Sequence, residues 1–383
     1  MARRTILITF GTRPEAIKMA PVVLELHRRD AFRVITCVTG QHREMLDQVI
    51  EAFALPIDHD LKIMRERQTL GHITSAVLKG IDPILEESKP DLVMVHGDTT
   101  TTFAAALAAY YHQIPVAHVE AGLRTDDIYS PFPEEMNRRL ADRLSAIFYP
   151  PTPAARATLL GESVPPDCIL TTGNTVIDAL VATAGSTPPA WERKIDDALH
   201  WPGPKVLMTV HRRESWGGPM ERVALAVKRV CNELPEVTFI FPIHLNPIVR
   251  KTFQEALGSL SQVVFIEPLP YTPFVHLMNR ADVVITDSGG VQEEAPTLGK
   301  PVLVMRDTTE RPEGIAAGTA RLVGTDDQLI ADQLIGLLTD RSEYEAMASA
   351  VNPYGDGRAA TRIADHLEYH FGLRSDPPEE FIP

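Results

Sequence analysis

Short apolar runs alternate with longer helix-period stretches through the first part of the chain. The runs have the length of buried strands, and most of them are separated by segments whose apolar residues recur three and four positions apart. The runs lie at residues 5–10, 33–38, 92–96, 116–119, 147–149 and 169–171, and the helix-period stretches at 15–28, 44–53, 73–85 and 101–111. This alternation predicts a mainly parallel sheet whose strands are joined by helical crossovers.

The same alternation restarts after a break. A segment that begins at Gly173 passes through a helix ending near Gly185 into the Pro-rich stretch 188–204, and further apolar runs follow at 206–210, 237–241, 263–266, 283–286 and 302–305. Since 383 residues exceed the usual size of one core, we predict two similar α/β units that share a cleft. The predicted boundaries are 1–173 plus a C-terminal helix at about 358–373 for the first domain, 174–357 for the second, and a loose tail at 374–383.

The charge balance argues against a general role on nucleic acid or on a membrane surface. The formal net charge is -14 and the pI is near 5.4, whereas such roles need a basic face that displaces counterions from phosphates. Any anionic ligand must therefore be bound by a local group of cations.

Cysteine content and hydropathy indicate a reduced, soluble protein. Cys37, Cys168 and Cys231 are odd in number and far apart, which favours neither a disulfide framework nor a structural zinc site. The apolar run at 6–10 is too short for a signal peptide, and no stretch approaches the roughly 20 residues that cross a bilayer. We expect a cytoplasmic protein.

Three carboxylates lie where an active site at the ends of strands would need them. Asp98 and Glu120 follow the apolar runs at 92–96 and 116–119, and Glu134 follows a Pro-rich turn. In open parallel sheets ligands bind beyond the carboxyl ends of the strands, so these side chains are expected in one crevice. The clustering indicates an enzyme.

The turn after the first strand has the composition of an anion site. Thr12 and Glu15 have the spacing of a capping box, and Arg13 and Lys18 are placed to meet a diphosphate at the helix start. The alternative is a well-capped helix whose charges are simply solvated.

A second candidate anion site is the segment Asp-Ser-Gly-Gly at 287–290, whose last two residues, Gly289 and Gly290, are called the Gly pair below. Gly289 and Gly290 permit close approach of a phosphate to the backbone at a helix start, beside Ser288, and Glu294 one turn later is placed to accept the hydroxyls of a ribose. The alternative is a Ser-capped tight turn.

Several histidines can be interpreted in more than one way. His96-x-Asp98 and His118-x-Glu120 have strand spacing that a metal site can use, but the ordinary reading is that each His bonds backbone or orients a nearby acid. His211 and Arg212 follow the run at 206–210 as a cationic edge, or as a solvated charged loop. Residues 355–360 match a dinucleotide fingerprint only by letter, because no strand precedes them.

Six motifs bring a resemblance to a known family. They are GTRPEAIK at 11–18, QHREMLD at 41–47, HGDTTT at 96–101, HVEAGLR at 118–124, HRRES at 211–215 and DSGGVQEE at 287–294. Together they resemble the bacterial non-hydrolysing UDP-N-acetylglucosamine 2-epimerases, over nearly the whole chain. The resemblance implies a glycosyltransferase-B-like fold of two Rossmann-like domains with the last helix crossing back, and a homodimer. It also implies interconversion of UDP-N-acetylglucosamine and UDP-N-acetylmannosamine for polysaccharide or cell-wall synthesis, with no NAD, no required metal and no other cofactor.

The resemblance also implies roles for particular residues. Asp98, Glu120 and Glu134 would supply acid, base and charge stabilisation, and His211 would contact the departing diphosphate, with the identity of the base left open. The phosphates would be bound by Arg13, Lys18, Ser288, Gly289 and Gly290, the ribose by Glu294 and the uracil by Phe274, with Arg321 near the nucleotide. Gln41, His42, Arg67, Gln68, Arg212 and His244 match an activating second substrate site in some members, or simply line the cleft and aid closure.

Three other functions compete with this interpretation. A glycosyltransferase would use the same fold and UDP site, a nucleotide-sugar sensor would bind without chemistry, and a hydrolysing epimerase would release free N-acetylmannosamine. Three inward carboxylates disfavour the first two, because neither needs acids around the sugar.

Overall fold

A computed structural model describes residues 3–40, 43–65, 68–125, 127–212 and 217–383. The chain divides into two compact units, Met1–Ala179 with Gly355–Ile382 and Leu180–Tyr354 with Pro383. The chain passes from the first unit to the second after Ala179, inside a helix that follows Gly173. It returns to the first unit after Tyr354, close to the predicted boundary at 357.

The first unit is built on a six-stranded sheet. Its strands are β1 (Arg4–Phe10), β2 (Phe32–Val38), β3 (His59–Asp60), β4 (Leu92–His96), β5 (Val116–Val119) and β6 (Ile147–Tyr149). Its helices are α1 (Arg13–Arg28), α2 (Arg43–Ala52), α3 (Leu70–Ser88), α4 (Thr100–Tyr111), α5 (Glu134–Leu144), α6 (Pro153–Gly161), α7 (Thr175–Ala184, which continues into the second unit) and α16 (Ala359–His370). The strand order is β3-β2-β1-β4-β5-β6, and every pair is parallel.

The second unit repeats this arrangement. Its strands are β7 (Lys205–Thr209), β8 (Thr238–Pro242), β9 (Val263–Ile266), β10 (Val283–Thr286), β11 (Val302–Val304) and β12 (Ala320–Leu322). Its helices are α8 (Arg193–His200), α9 (Gly218–Glu233), α10 (Pro247–Leu257), α11 (Tyr271–Arg280), α12 (Gly289–Glu294), α13 (Pro312–Ala316), α14 (Asp327–Thr339) and α15 (Arg341–Ala348). The strand order is β9-β8-β7-β10-β11-β12, again all parallel.

Both sheets change direction at the equivalent place. The chain winds outward from β1 through β2 to β3 and then returns to place β4 on the other side of β1; β7 and β10 have the same relation. Such a switch point leaves a crevice beyond the strand ends that ligands use. The prediction of parallel, Rossmann-like α/β units is therefore confirmed for each unit.

Burial explains why the strands read as apolar runs. Residues 6–10 of β1 and all of β4 and β5 are buried, as expected for parallel strands covered by helices on both faces. Helix α4 buries five alanines, whose small side chains let it pack closely between α3 and α5. No helix in the described ranges combines the length and the apolarity that crossing a membrane requires.

Two details differ from the predictions. Residues 169–171 form only an isolated bridge, Phe148 to Ile169, although the N–H groups of Leu170 and Thr172 donate to the carbonyls of Phe148 and Pro150 at 3.0 and 3.1 Å. The C-terminal tail is not loose: Phe381 is buried, its N–H donates to the carbonyl of Thr171 at 2.8 Å, and Glu380 pairs with Arg156. One apolar anchor and three ion pairs, Glu380 with Arg156, Glu379 with Arg358 and Arg374 with Asp365, hold a segment that was predicted to be loose.

Candidate functional site

The predicted capping box at the start of α1 is present and also ties two turns together. Glu15 is buried and accepts hydrogen bonds from the backbone N–H groups of Gly11 and Thr12 at 3.0 and 2.8 Å. Its other oxygen accepts from the hydroxyls of Thr99 and Thr102, in the turn after β4 and the start of α4. Glu15 therefore joins the two loops that flank the switch point of the first unit.

Glu120, at the end of β5, is held by the side chains of Lys18 and His96. The Nζ of Lys18 lies 2.8 Å from its Oε1 and 2.5 Å from its Oε2, and the Nε2 of His96 lies 2.8 Å from Oε2. Burial opposes ionisation of this carboxyl, but Lys18 and His96 outweigh burial and hold its pKa well below the usual range. Glu120 is therefore a buried carboxylate, ionised at neutral pH.

The backbone of Glu120 is in the left-handed region, with φ at 65°. This conformation is disfavoured for a residue with a Cβ, and such outliers concentrate at functional sites. It directs the Glu120 side chain back toward α1, where Lys18 binds it.

Asp98 lies in the turn after β4 and is held from α5. Its carboxylate is ion-paired with Arg138, which also contacts Glu135 at 3.3 Å, and its backbone carbonyl accepts from the Nδ2 of Asn137 at 3.0 Å. Glu134 is the first residue of α5, one turn before Arg138 and on the same helix face. The structure therefore brings Asp98, Glu120 and Glu134 to one edge of the first unit.

Both ring nitrogens of His118 contact protein groups. Its Nδ1 lies 2.6 Å from Asp142 and its Nε2 lies 2.7 Å from the carbonyl oxygen of Gly97. His96 contacts Glu120, so the two histidines of the metal hypothesis bind protein groups. Within the described part of the chain, no three His, Cys, Asp or Glu side chains form a metal-binding cluster.

Asp287 organises the corresponding edge of the second unit. This buried carboxylate accepts from the backbone N–H groups of His211 and Arg212, both at 2.9 Å, and lies 2.8 Å from the Nδ1 of His211. Burial raises the pKa of Asp287, but the contact with His211 and the two backbone donors hold it below its usual value. With Nδ1 directed at Asp287, Nε2 is the nitrogen of His211 that is left to contact a ligand.

The Gly pair after β10 leaves open space at the start of α12. A Cβ on Gly289 would meet only the Nη2 of Arg212 at 3.7 Å, and one on Gly290 only Glu294 at 3.9 Å, both ordinary contacts. Neither glycine has a positive φ. Because packing within the described protein does not demand glycine here, the missing side chains fit the close approach of a ligand.

Glu294 ends α12 beside α11. It is buried and accepts from the hydroxyl of Tyr271 at 3.1 Å, and Phe274 lies one turn after Tyr271, packed against the core. A carboxylate and a partly buried aromatic ring thus lie near the Gly pair, as a nucleoside would require.

The remaining candidates are placed differently. Arg13 is the first residue of α1, beside the capping box. Arg321 bonds Gln333 at 2.7 Å and pairs with Glu343, which directs its guanidinium to α14 and α15 rather than to the Gly pair. Gln68 accepts from the backbone of Arg65 at 3.4 Å, and the His244 ring lies 6.4 Å from that of His211. Gln41, His42 and Arg67 lie outside the described residues.

The residues that support the carboxylates were not predicted from the sequence. Three of them follow Glu134 on α5 at spacings of three, four and eight residues: Asn137, Arg138 and Asp142. These spacings place them on the same helix face as Glu134, so helical periodicity could have predicted them. In the second unit, Arg311 pairs with Glu293, and Asn352 donates to the Glu293 carbonyl at 2.8 Å, which fixes α12 from behind.

Comparisons with known proteins agree with this arrangement. The family model described as UDP-N-acetylglucosamine 2-epimerase matches residues 24–368. The UDP-N-acetylglucosamine 2-epimerase of Bacillus subtilis (strain 168) is 49% identical over 383 residues, covering 100% of this chain and 99% of that protein. That of Escherichia coli (strain K12) is 51% identical over 368 residues, covering 95% and 98%.

A solved structure gives the same result. The crystal structure of UDP-GlcNAc 2-epimerase from Neisseria meningitidis bound to UDP-GlcNAc is 47% identical, with a TM-score of 0.83, and covers 95% of this chain and 100% of that one. With the two parallel sheets, this likeness establishes a glycosyltransferase-B-like fold.

Proposed function

This chain belongs to the UDP-N-acetylglucosamine 2-epimerase family of isomerases, and we propose that it inverts C2 of UDP-N-acetylglucosamine by eliminating UDP and adding it back. The Neisseria meningitidis relative, bound to UDP-GlcNAc, supports the choice of substrate. The observation that carries the mechanism is the set of three carboxylates at one edge of the first unit, two of them held by cations.

The chemistry explains why elimination is preferred. The hydrogen at C2 has no adjacent ketone and is barely acidic, so its direct removal is unfavourable. When the C1–O bond breaks and UDP takes the electron pair, C1 develops oxocarbenium character that carboxylates stabilise, and a base removes the C2 proton to leave a glycal. Proton delivery to the opposite face of C2, with the diphosphate oxygen returning to C1, gives UDP-N-acetylmannosamine.

The first unit supplies the acid, base and charge-stabilising groups of this proposal. Two faces of C2 must exchange protons, which calls for groups on two sides of the ring. Lys18 holds the pKa of Glu120 low, which favours a base or charge-stabilising role for Glu120, and Asp98 is ion-paired with Arg138. Glu134, for which no hydrogen bond or ion pair within the described residues is found, would be the third member of the set.

The second unit binds the nucleotide in this proposal. Ser288, Gly289 and Gly290 would hold the phosphates at the start of α12, Glu294 the ribose and Phe274 the uracil, with His211 contacting the diphosphate as it leaves. Arg13 and Lys18 would add positive charge from the first unit. The ion pair of Arg321 with Glu343 supports a structural role, so we do not assign Arg321 to the nucleotide.

Incubation with UDP-N-acetylglucosamine in heavy water tests the function. An epimerase exchanges deuterium into C2 without an acceptor and yields UDP-N-acetylmannosamine. A glycosyltransferase requires an acceptor, a sensor leaves the sugar unlabelled, and a hydrolysing epimerase releases free N-acetylmannosamine. Any of these three results would replace the proposal.

We also propose a homodimer. In the first unit, Tyr110 and Tyr111 on α4 and Met136 and Leu140 on the adjoining α5 are exposed apolar side chains, and such patches favour protein contacts. Light scattering after size-exclusion chromatography should give twice the chain mass, and a monomer would contradict this. A cytoplasmic location and supply of polysaccharide or cell-wall synthesis stay predictions.

A further inference from the structure

Helix α5 presents a stripe of polar side chains to the end of β4. Glu134, Arg138 and Asp142 follow at intervals of four residues and so share one face, while the exposed Met136 and Leu140 lie elsewhere on the helix. Asp142 is only 4% exposed. A carboxylate buried to this degree is costly unless it is well bonded, so its partners are informative.

Asp142 reaches the turn after β4 through His118. The Oδ1 of Asp142 is 2.6 Å from the Nδ1 of His118, whose Nε2 is 2.7 Å from the carbonyl oxygen of Gly97. The ring of His118 therefore bridges the carboxylate of Asp142 and the carbonyl of Gly97. The N–H of Gly97 donates to Val119 at 2.9 Å, so Gly97 is held through both of its backbone groups. The next residue in the chain is Asp98.

Asp142 is itself fixed from behind. Its Oδ2 lies 2.6 Å from the Nη2 of Arg124 and accepts from the N–H of Gly122 at 3.3 Å, and Arg124 is bound in turn by Glu162 at 2.7 Å. Rotation of the Asp142 carboxylate would break contacts on both sides. The chain of contacts from Glu162 to Gly97 is therefore continuous and mostly buried.

We propose that Asp142 is a positioning residue for the reaction: acting through His118, it fixes the Gly97 carbonyl and thereby the direction of the Asp98 carboxylate. Asp142 does not touch the sugar in this proposal. The inference rests on the proposed function, because the direction of Asp98 matters only if Asp98 acts at the sugar ring. The position of the Asp98 carboxylate matters for the rate, since a shift of about 1 Å in a reacting group can reduce the rate by on the order of a hundredfold.

The variant Asp142→Asn tests the proposal. The amide keeps the size of the side chain, but one of its polar atoms becomes a donor, so it cannot accept from both His118 and Arg124. The turnover number per UDP-binding site should fall by on the order of a hundredfold, with UDP affinity unchanged. The ratio of free UDP to epimer should rise, because the intermediate escapes before UDP is added back, and this ratio does not depend on how much protein is folded.

Asp178→Asn is the matched control. Asp178 is another buried acid of the first unit, and it accepts from the backbone of Ala359 and Ala360 at 3.1 and 2.8 Å at the start of α16. Its variant should lose thermal stability but keep the wild-type turnover number per site and the wild-type ratio.

Two results would overturn the positioning role. One is an Asp142→Asn protein with wild-type turnover and ratio; the other is an equal loss of turnover in both variants. If Asp142→Asn does not fold, His118→Gln breaks the same contact and the same changes are expected. A wild-type protein that exchanges no deuterium at C2 would instead overturn the proposed function.

Discussion

Lys18 of α1 and Glu120 of β5 form a two-oxygen ion pair across 102 positions of sequence, with the ammonium nitrogen 2.8 and 2.5 Å from the two carboxylate oxygens. From the sequence, Lys18 was expected to bind phosphate and Glu120 to act at the sugar. In the structure these residues touch, so the charge of one sets the ionisation of the other.

Removal of the Lys18 charge should change the pH dependence of the reaction. In Lys18→Met, burial of Glu120 is opposed only by His96, so the pKa of Glu120 rises. If ionised Glu120 is required, the acidic limb of the kcat/KM profile moves to higher pH. Lys79→Met, on the exposed part of α3, is the control. An unmoved limb with weakened UDP binding would assign Lys18 to phosphate alone.

Asp98→Asn and Glu120→Gln should retain UDP binding but lose turnover by on the order of a hundredfold or more, as expected when acid/base groups are removed. Calorimetry with UDP and the heavy-water assay measure the two properties separately. Glu87→Gln, an exposed acid on α3, should behave as wild type. Near-normal turnover in both site variants would refute their assignment.

Alanine at the Gly pair should reduce ligand affinity without reducing stability. Gly289→Ala and Gly290→Ala create no clash within the described protein, so the melting temperature should not change. Loss of one charge-assisted contact to phosphate should weaken UDP binding by about tenfold or more. Gly122→Ala is the opposite case: its φ is +84° and its Cβ would lie 2.4 Å from the carbonyl oxygen of Ala155, so it should melt earlier. Unchanged UDP affinity in both Gly-pair variants would contradict the phosphate site.

Activation by substrate should depend on His244. Its ring lies 6.4 Å from that of His211 and its Nδ1 accepts from the backbone of Asn246 at 3.1 Å. We predict that initial rates against UDP-N-acetylglucosamine depart from a hyperbola and that His244→Ala restores one. Hyperbolic rates in the wild type, unchanged in the variant, would argue against a second site.

His366 should make stability depend on pH. Its Nδ1 bonds the hydroxyl of Tyr149 at 2.9 Å, and burial lowers its pKa to about 4. Between about pH 6.5 and 4 the unfolded chain binds a proton at His366 that the folded protein does not. The free energy of unfolding therefore decreases by up to about 3 kcal/mol as the pH is lowered through this range. Burial raises the pKa of Asp178 to about 6, so the contribution of Asp178 to the free energy of unfolding increases as the pH is lowered, opposite to that of His366.

The effect of His366 therefore appears as a difference between two proteins. Urea unfolding of wild type and His366→Gln at several pH values removes the contribution of Asp178, which both proteins share. The wild type should lose more stability on acidification. Parallel curves would show that His366 does not titrate as described.

Local pattern was enough to locate the strands that carry the site. The runs at 92–96 and 116–119 coincide with β4 and β5, and the capping box of Thr12 and Glu15 formed as predicted, because each depends on residues within a few positions. The edge strands β3 and β12 were not predicted, since their sequences, His-Asp and Ala-Arg-Leu, contain no run of consecutive apolar residues such as the one that marked β6.

By itself the sequence determined the parallel α/β architecture, the strand-end positions of Asp98 and Glu120, and the Gly pair, because periodicity and turn chemistry are local. Only the tertiary structure decided that Lys18 binds Glu120, that Asp142 reaches Gly97 through His118, that Arg321 pairs with Glu343, and that Phe381 anchors the tail. Each of these contacts depends on which strands are neighbours in the sheet and which helix face is buried. Those choices minimise the exposed apolar area and the unpaired charge of the whole chain, and no short window of residues contains them.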